Sequence, residues 1–170
     1  MQENFRFDSG LWSNNETFNL VGRKTGLDTQ ETKLPGYWNA PFSKICIGMK
    51  VRDHQFILIN NMADSLYSFV ADGQYRSTTL GRDTWKTLIG PEASLQANCN
   101  KEGFNVASGS NKARIGILGN NEDDCGNCDS RIGFGTAGWP DDSNTCGNEA
   151  VIGGGNGDKH IKTMGYIMAQ

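Results

Sequence analysis

Strict alternation is clearest between residues 44 and 60. In "KICIGMKV" the apolar residues Ile45, Ile47, Met49 and Val51 take every second position, the period of a strand with one buried face. "HQFILIN" follows after a short polar step at Arg52 and Asp53, so the two segments predict a buried β-hairpin. Two later stretches carry the helical period. "DSLYSFVADG" puts Asp64 at an N-cap, Leu66, Phe69 and Val70 on one face, and Gly73 at the stop; "RDTWKTLIG" repeats this with Asp83, then Trp85, Leu88 and Ile89, then Gly90. Each predicts a short packing helix. "ARIGILG" predicts another strand. In the C-terminal "HIKTMGYIMAQ", Ile161, Thr163, Gly165, Ile167 and Ala169 share one face and Met164, Tyr166 and Met168 the other. Both faces are apolar, which predicts a central strand.

Residues 119–160 hold neither period for more than a few positions. A loop of that length inside a compact domain is usually functional or disordered, and its cysteines favour order. At 170 residues the chain suits one domain over residues 1–170. Its 22 glycines against 4 prolines point to a loop-rich α+β fold, with a small mixed or antiparallel sheet and two short helices.

Charge removes several function classes. A net charge of -3 and a pI near 5.3, with no basic patch, argue against a nucleic-acid partner. No apolar run approaches the roughly 18 residues that suggest a membrane span. The opening "MQENFRFDSG" lacks the basic start and apolar middle of a signal peptide, as a mature secreted chain would. Five cysteines suit an oxidised extracellular domain with two bridges and one thiol left over, and sequence alone leaves the pairing open. "NET" at Asn15 is a glycosylation acceptor sequence, a further hint of secretion.

The acidity is regional. Between 120 and 150, Glu122, Asp123, Asp124, Asp129, Asp141, Asp142 and Glu149 face the single base Arg131, a local charge of -6 that leaves the remainder of the chain net positive. A solvated, solubilising loop is one explanation. The other is a hard divalent cation, and Ca2+ suits the donor set, because carboxylates, Asn amides and glycine-freed carbonyls are all oxygen ligands. The candidate metal ligands are Asp123, Asp124, Asn127, Asp129, Asp141, Asp142 and Glu149. Zinc is disfavoured, since "CGNC" supplies two thiolates and Cys146 and His160 lie at no finger-like spacing. The redox reading of C-x-x-C needs a strand before it and a helix after it, and the EF-hand pattern lacks its final acid.

Trp139, in "GTAGWPDD", is either a lid on the core or an exposed indole on which a sugar face stacks beside oxygen ligands. Trp12, Trp38 and Trp85 are assigned to packing. His54 and His160 have no nucleophile motif near them, so no enzyme activity is expected.

"KLPGYWNAPFSKICIGMK", "SLYSFVADGQYRSTTLGRDTWKTLI", "NCNKEGFNV", "ARIGILGN", "DSRIGFGT", "NTCGNEA" and "GDKHIKTMGYIMAQ", in that order, resemble the C-terminal fibrinogen-like region of cnidarian secreted proteins, including coral skeletal organic matrix proteins. The likeness covers about residues 11–170. More distantly, "IGFGTAGWPDD" and "CGNE" are similar to the calcium-binding region of intelectins, calcium-dependent lectins. That resemblance implies a secreted calcium-dependent domain with a glycan or glycoprotein partner, Trp139 and Asn148 at the ligand, and Asp129 where the intelectins carry a ligand histidine. It also implies a Cys99–Cys125 bridge first and Cys128–Cys146 second, with Cys46 left in its strand. The Gly-Gly-Trp-Thr signature of the amino-terminal fibrinogen subdomain is missing. The coral resemblance implies an alternative: an extracellular or skeletal matrix interaction protein without sugar binding. A homo-oligomer formed through the Tyr166 and Met168 face fits either.

Overall fold

A computed structural model describes residues 4–22 and 26–170. After a single 3-10 turn at Gly10–Trp12, the elements are α1 (Gly36–Asn39), β1 (Phe42–Lys50), β2 (His54–Ala63), α2 (Leu66–Val70), β3 (Arg76–Ser77), α3 (Arg82–Thr87), β4 (Asn98–Ser108), β5 (Asn111–Asn120), β6 (Ser130–Ala137), β7 (Cys146–Ala150), β8 (Lys159–Lys162) and β9 (Met164–Ala169). They build an α+β fold with two antiparallel sheets, one ordered β2-β1-β9 and the other β3-β4-β5-β6-β7-β8.

The hairpin follows from its alternation. Ile47 of β1 lies opposite both Ile57 of β2 and Ile167 of β9, and Ile45, Ile47, Met49, Ile57 and Ile59 are all buried. These side chains join Val70, Trp85, Leu88, Ile115, Ile117, Ile132 and Phe134 in one apolar cluster, so both sheets share a core, and α2 and α3 each touch both sheets.

The helices form where their period places them, with different caps. Ser65, not Asp64, caps α2: its Oγ accepts from Ser68 N–H at 3.1 Å, and Ser68 Oγ accepts from Ser65 N–H at 3.3 Å, a reciprocal box. Gly81, at φ 81°, precedes α3, and Asp83 sits inside the first turn. The donors at this helix start are met by Glu102 of β4. Its carboxylate accepts from Gly81 N–H (2.8 Å), Leu80 N–H (3.0 Å), Thr78 Oγ1 (2.6 Å) and Trp85 Nε1 (2.8 Å), which ties α3 to the larger sheet.

Two expectations are corrected. The C-terminal strand is not central: it breaks at Thr163 into β8 and β9, each on the edge of a different sheet, and Thr163 spans the break by donating N–H to Cys146 O at 2.9 Å. Residues 119–160 are not one loop either, because they contain β6 and β7, whose residues are almost all buried. Glycine makes this sheet possible. A Cβ on Gly116 of β5 would lie 2.5 Å from Ile132 O of β6, so only a bare backbone lets these two strands close.

Candidate functional site

The acidic segment is organised around a cation of the chain itself. Arg131 on β6 is 1% exposed and sits in register with Glu149 of β7, which is also 1% exposed and pairs in turn with His160 of β8. One row of the sheet therefore reads guanidinium, carboxylate, imidazole. The turn after β6 folds over this row. Arg131 Nη1 donates to Trp139 O at 2.9 Å and to Asn111 Oδ1, and Nη2 donates to Asp141 O at 2.7 Å. Burial pulls the guanidinium down to about 10, while Glu149, Asp141 and Asp142 hold it up, so it stays protonated at neutral pH.

Every carboxylate oxygen of the three acids near Arg131 has a protein partner. Glu149 Oε1 accepts from Asn144 Nδ2 at 2.5 Å, and Oε2 meets His160 Nδ1 at 2.6 Å. Asp141 Oδ1 accepts from Ser143 N–H at 2.9 Å and Ser143 Oγ at 2.6 Å, and Oδ2 lies 3.1 Å from Lys162 Nζ. Asp142 Oδ1 accepts from Gly138 N–H at 2.9 Å, and Oδ2 pairs with Arg6 Nη2 at 2.6 Å. The Ser143 hydroxyl, followed by Lys162, holds Asp141 down to about 2, and the Gly138 amide and Arg6 lower Asp142.

The other predicted ligands lie on the turn before β6. Asp123, Asp124 and Asn127 are exposed, and Asp124 Oδ1 accepts from Gly126 N–H at 2.9 Å. Asp129 is partly buried, and burial, with Glu122 adding to it, raises its carboxyl. Side chains of the β4–β5 hairpin hold the backbone of this turn: Ser108 Oγ donates to Cys125 O at 2.8 Å and accepts from Cys128 N–H at 3.0 Å, and Asn111 Nδ2 donates to Cys128 O at 2.8 Å.

The seven predicted ligands therefore divide into two sets and do not converge. Among the described residues one group of metal-capable side chains comes together, Cys99, Asp123 and Cys125, and its two sulfurs are already joined to each other. Calcium takes six to eight oxygens and tolerates no cation at its centre. The Arg131 cluster offers Asn144 Oδ1 as its one buried oxygen without a hydrogen-bond partner among the described residues, and the guanidinium already binds the Trp139 and Asp141 carbonyls beside it. This donor set does not fit the ion.

Cys99 and Cys125 form a disulfide across 26 residues with Cα atoms 5.2 Å apart. Cys128 and Cys146 are free thiols that pack in different places: Cys128 joins Val106, Ala113 and Leu118, while Cys146 packs on the main core against Gly165. The acidic segment is thus pinned by one bridge and not bounded by two. Asn148 is fully buried and cannot reach a ligand, because its amide donates to Ser94 O at 2.7 Å and Arg131 O at 2.9 Å and accepts from Ser94 N–H at 2.8 Å. Trp139, preceding a cis proline, is 49% exposed and not a core lid. Trp12 and Trp85 are buried and Trp38 partly so, with Lys33 Nζ 5.6 Å from its ring.

No family model, curated protein or solved structure matches this chain. His160 is oriented by Glu149, but no serine or cysteine hydroxyl or thiol bonds to it among the described residues; His54 lies against the rings of Phe56 and Tyr166 at 6.2 and 5.4 Å. A cavity of about 370 Å³ lined by Phe5, Trp12, Tyr37 and Ile167 takes no lining residue from 119–160. No helix of the described residues is long and apolar enough to cross a membrane.

The cationic partners of Asp142 and Asp141 are Arg6 and Lys162, 136 and 21 residues away, which a local charge count does not link to them. One signal was available. Arg131 is the lone base within a strongly acidic segment, and an isolated base there is a natural counterion.

Proposed function

We propose that this chain is a non-catalytic extracellular structural module, the matrix-type alternative implied by its fibrinogen-like resemblance, with the acidic segment serving as scaffold. The observation that supports this reading is that every carboxylate oxygen of Asp141, Asp142 and Glu149 already has a partner within the chain, with Lys162 and Arg6 pairing the two aspartates and Arg131 close by. The Cys99–Cys125 bridge supports an oxidising compartment. A contact surface is at hand on the outer face of β2-β1-β9, where Phe56 and Leu58 remain 39% and 50% exposed in register with Tyr166 and Met168 across β1.

One observation favours a second reading, the calcium-dependent lectin. The half-exposed Trp139 is an accessible ring for a sugar, and Glu122, Asp123 and Asp124 are exposed on the turn before β6. A glycan array probed in calcium and again in EDTA separates the two. The structural reading expects no EDTA-reversible signal. A reversible signal that disappears in Trp139→Ala replaces it with the lectin.

A further inference from the structure

Asn14 and Asn15 are neighbours with opposite environments. Asn14 is turned inward: its carbonyl accepts from Lys33 Nζ at 2.7 Å, and its Oδ1 accepts from the same ammonium at 2.5 Å and from Glu16 N–H at 3.1 Å. Lys33 is only 4% exposed, donates to Leu11 O at 2.6 Å as well, and lies 4.9 Å from the centroid of the Tyr37 ring. This buried ammonium fixes the chain on the amino-terminal side of Asn15. On the other side the chain is fixed by the bridge between Phe18 and Lys33, with N–H to O distances of 3.0 and 2.9 Å.

Asn15, Glu16 and Thr17 are left as an exposed link outside any helix or strand, and neither the Asn15 amide nor the Thr17 hydroxyl has a hydrogen-bond partner among the described residues. "NET" is the one Asn-x-Ser/Thr triplet in the chain, and it falls on this link. Here the acceptor amide and the hydroxyl two residues later are both free and both face solvent.

We propose that Asn15 is an acceptor for asparagine-linked glycosylation by a lipid-diphosphate-linked oligosaccharide. In that transfer Asn15 Nδ2 forms a bond to the anomeric carbon of the sugar and loses a proton. The bond from that carbon to the diphosphate oxygen breaks, and the lipid diphosphate leaves with the electron pair. No oxidation or reduction is involved. The buried Lys33 clamp keeps the attached glycan on the outside, because Asn14 and not Asn15 supplies the inward contacts of the turn. The proposal rests on the extracellular part of the reading above.

The test expresses the chain behind a cleavable secretion leader in eukaryotic cells, followed by peptide-N-glycosidase in heavy-oxygen water and peptide mapping. The expected result is release of a glycan from the peptide containing Asn15, with labelled conversion of that side chain to a carboxylate. Thr17→Ala and Asn15→Gln abolish the label while circular dichroism and the Cys99–Cys125 bridge stay as in the wild type; Thr17→Ser restores it in part. An unmodified Asn15 in secreted wild-type protein overturns the proposal. Because the leader supplies the compartment, that failure leaves the structural reading standing, whereas EDTA-reversible sugar binding would remove the structural reading and leave the acceptor intact.

Discussion

At Arg131 a guanidinium with 1% of its surface exposed donates to two carbonyls and an amide oxygen while a buried carboxylate stands opposite it on the next strand. Glu149 keeps its own bonds to Asn144 and His160 and acts on Arg131 only through space, so removing the guanidinium costs chiefly the three buried acceptors it serves, about 3–5 kcal/mol together. Arg131→Met is therefore expected to lower unfolding free energy by that order in urea titration. Equal stability of wild type and the single variant would show that the buried guanidinium carries no weight. Acid acts on the same scale. Asp141 has a folded value of about 2 against an ordinary 3.8, and Glu102, which burial would raise, is held low by Thr78, Trp85, Gly81 and Leu80. Carboxylates depressed by folding stabilise the protein fully above their unfolded values and lose that contribution as pH falls through the folded ones. Stability is thus expected to drop between about pH 4 and pH 2, as followed by fluorescence of the buried Trp85.

At the scale of elements, the hairpin and both helices were legible because their apolar positions keep a single period and one face of each is buried. β6 and β7 were not, for a physical reason: both faces of these strands are buried, one holding Arg131 opposite Glu149 and the other Asn148 opposite Ile132, beside several glycines, so neither alternation nor an apolar run survives. The C-terminal strand looked central because both its faces are apolar; its split at Thr163 depends on a bond to Cys146 O that only the fold supplies. The acids themselves could be read directly, but their cations could not. The turn before β6 rests on the Cys99–Cys125 bridge and on Ser108 and Asn111. Replacing both bridging cysteines by serine is expected to cost about 3 kcal/mol in denaturant titration. The free thiols should differ by position. Burial raises those of Cys128 and Cys146, so native-state maleimide labelling is expected to modify Cys46 first and these two only on unfolding. Rapid labelling of Cys128 in the folded protein would contradict its place beneath Val106 and Leu118.

Across the whole molecule, the net charge of -3 hides an uneven distribution: an acidic segment near -6 lies against basic side chains from both ends of the chain. Arg6 reaches it from the amino-terminal segment and Lys162 from the edge strand β8, so electrostatics helps close the fold across long sequence separations. Self-neutralisation of this kind makes an external cation unnecessary. The most direct test is native mass spectrometry of the oxidised protein in millimolar calcium, paired with isothermal titration. The account predicts no stoichiometric uptake and no heat beyond dilution. One calcium per chain, reversed by EDTA and lost in Asp141→Asn or Glu149→Gln, would contradict it.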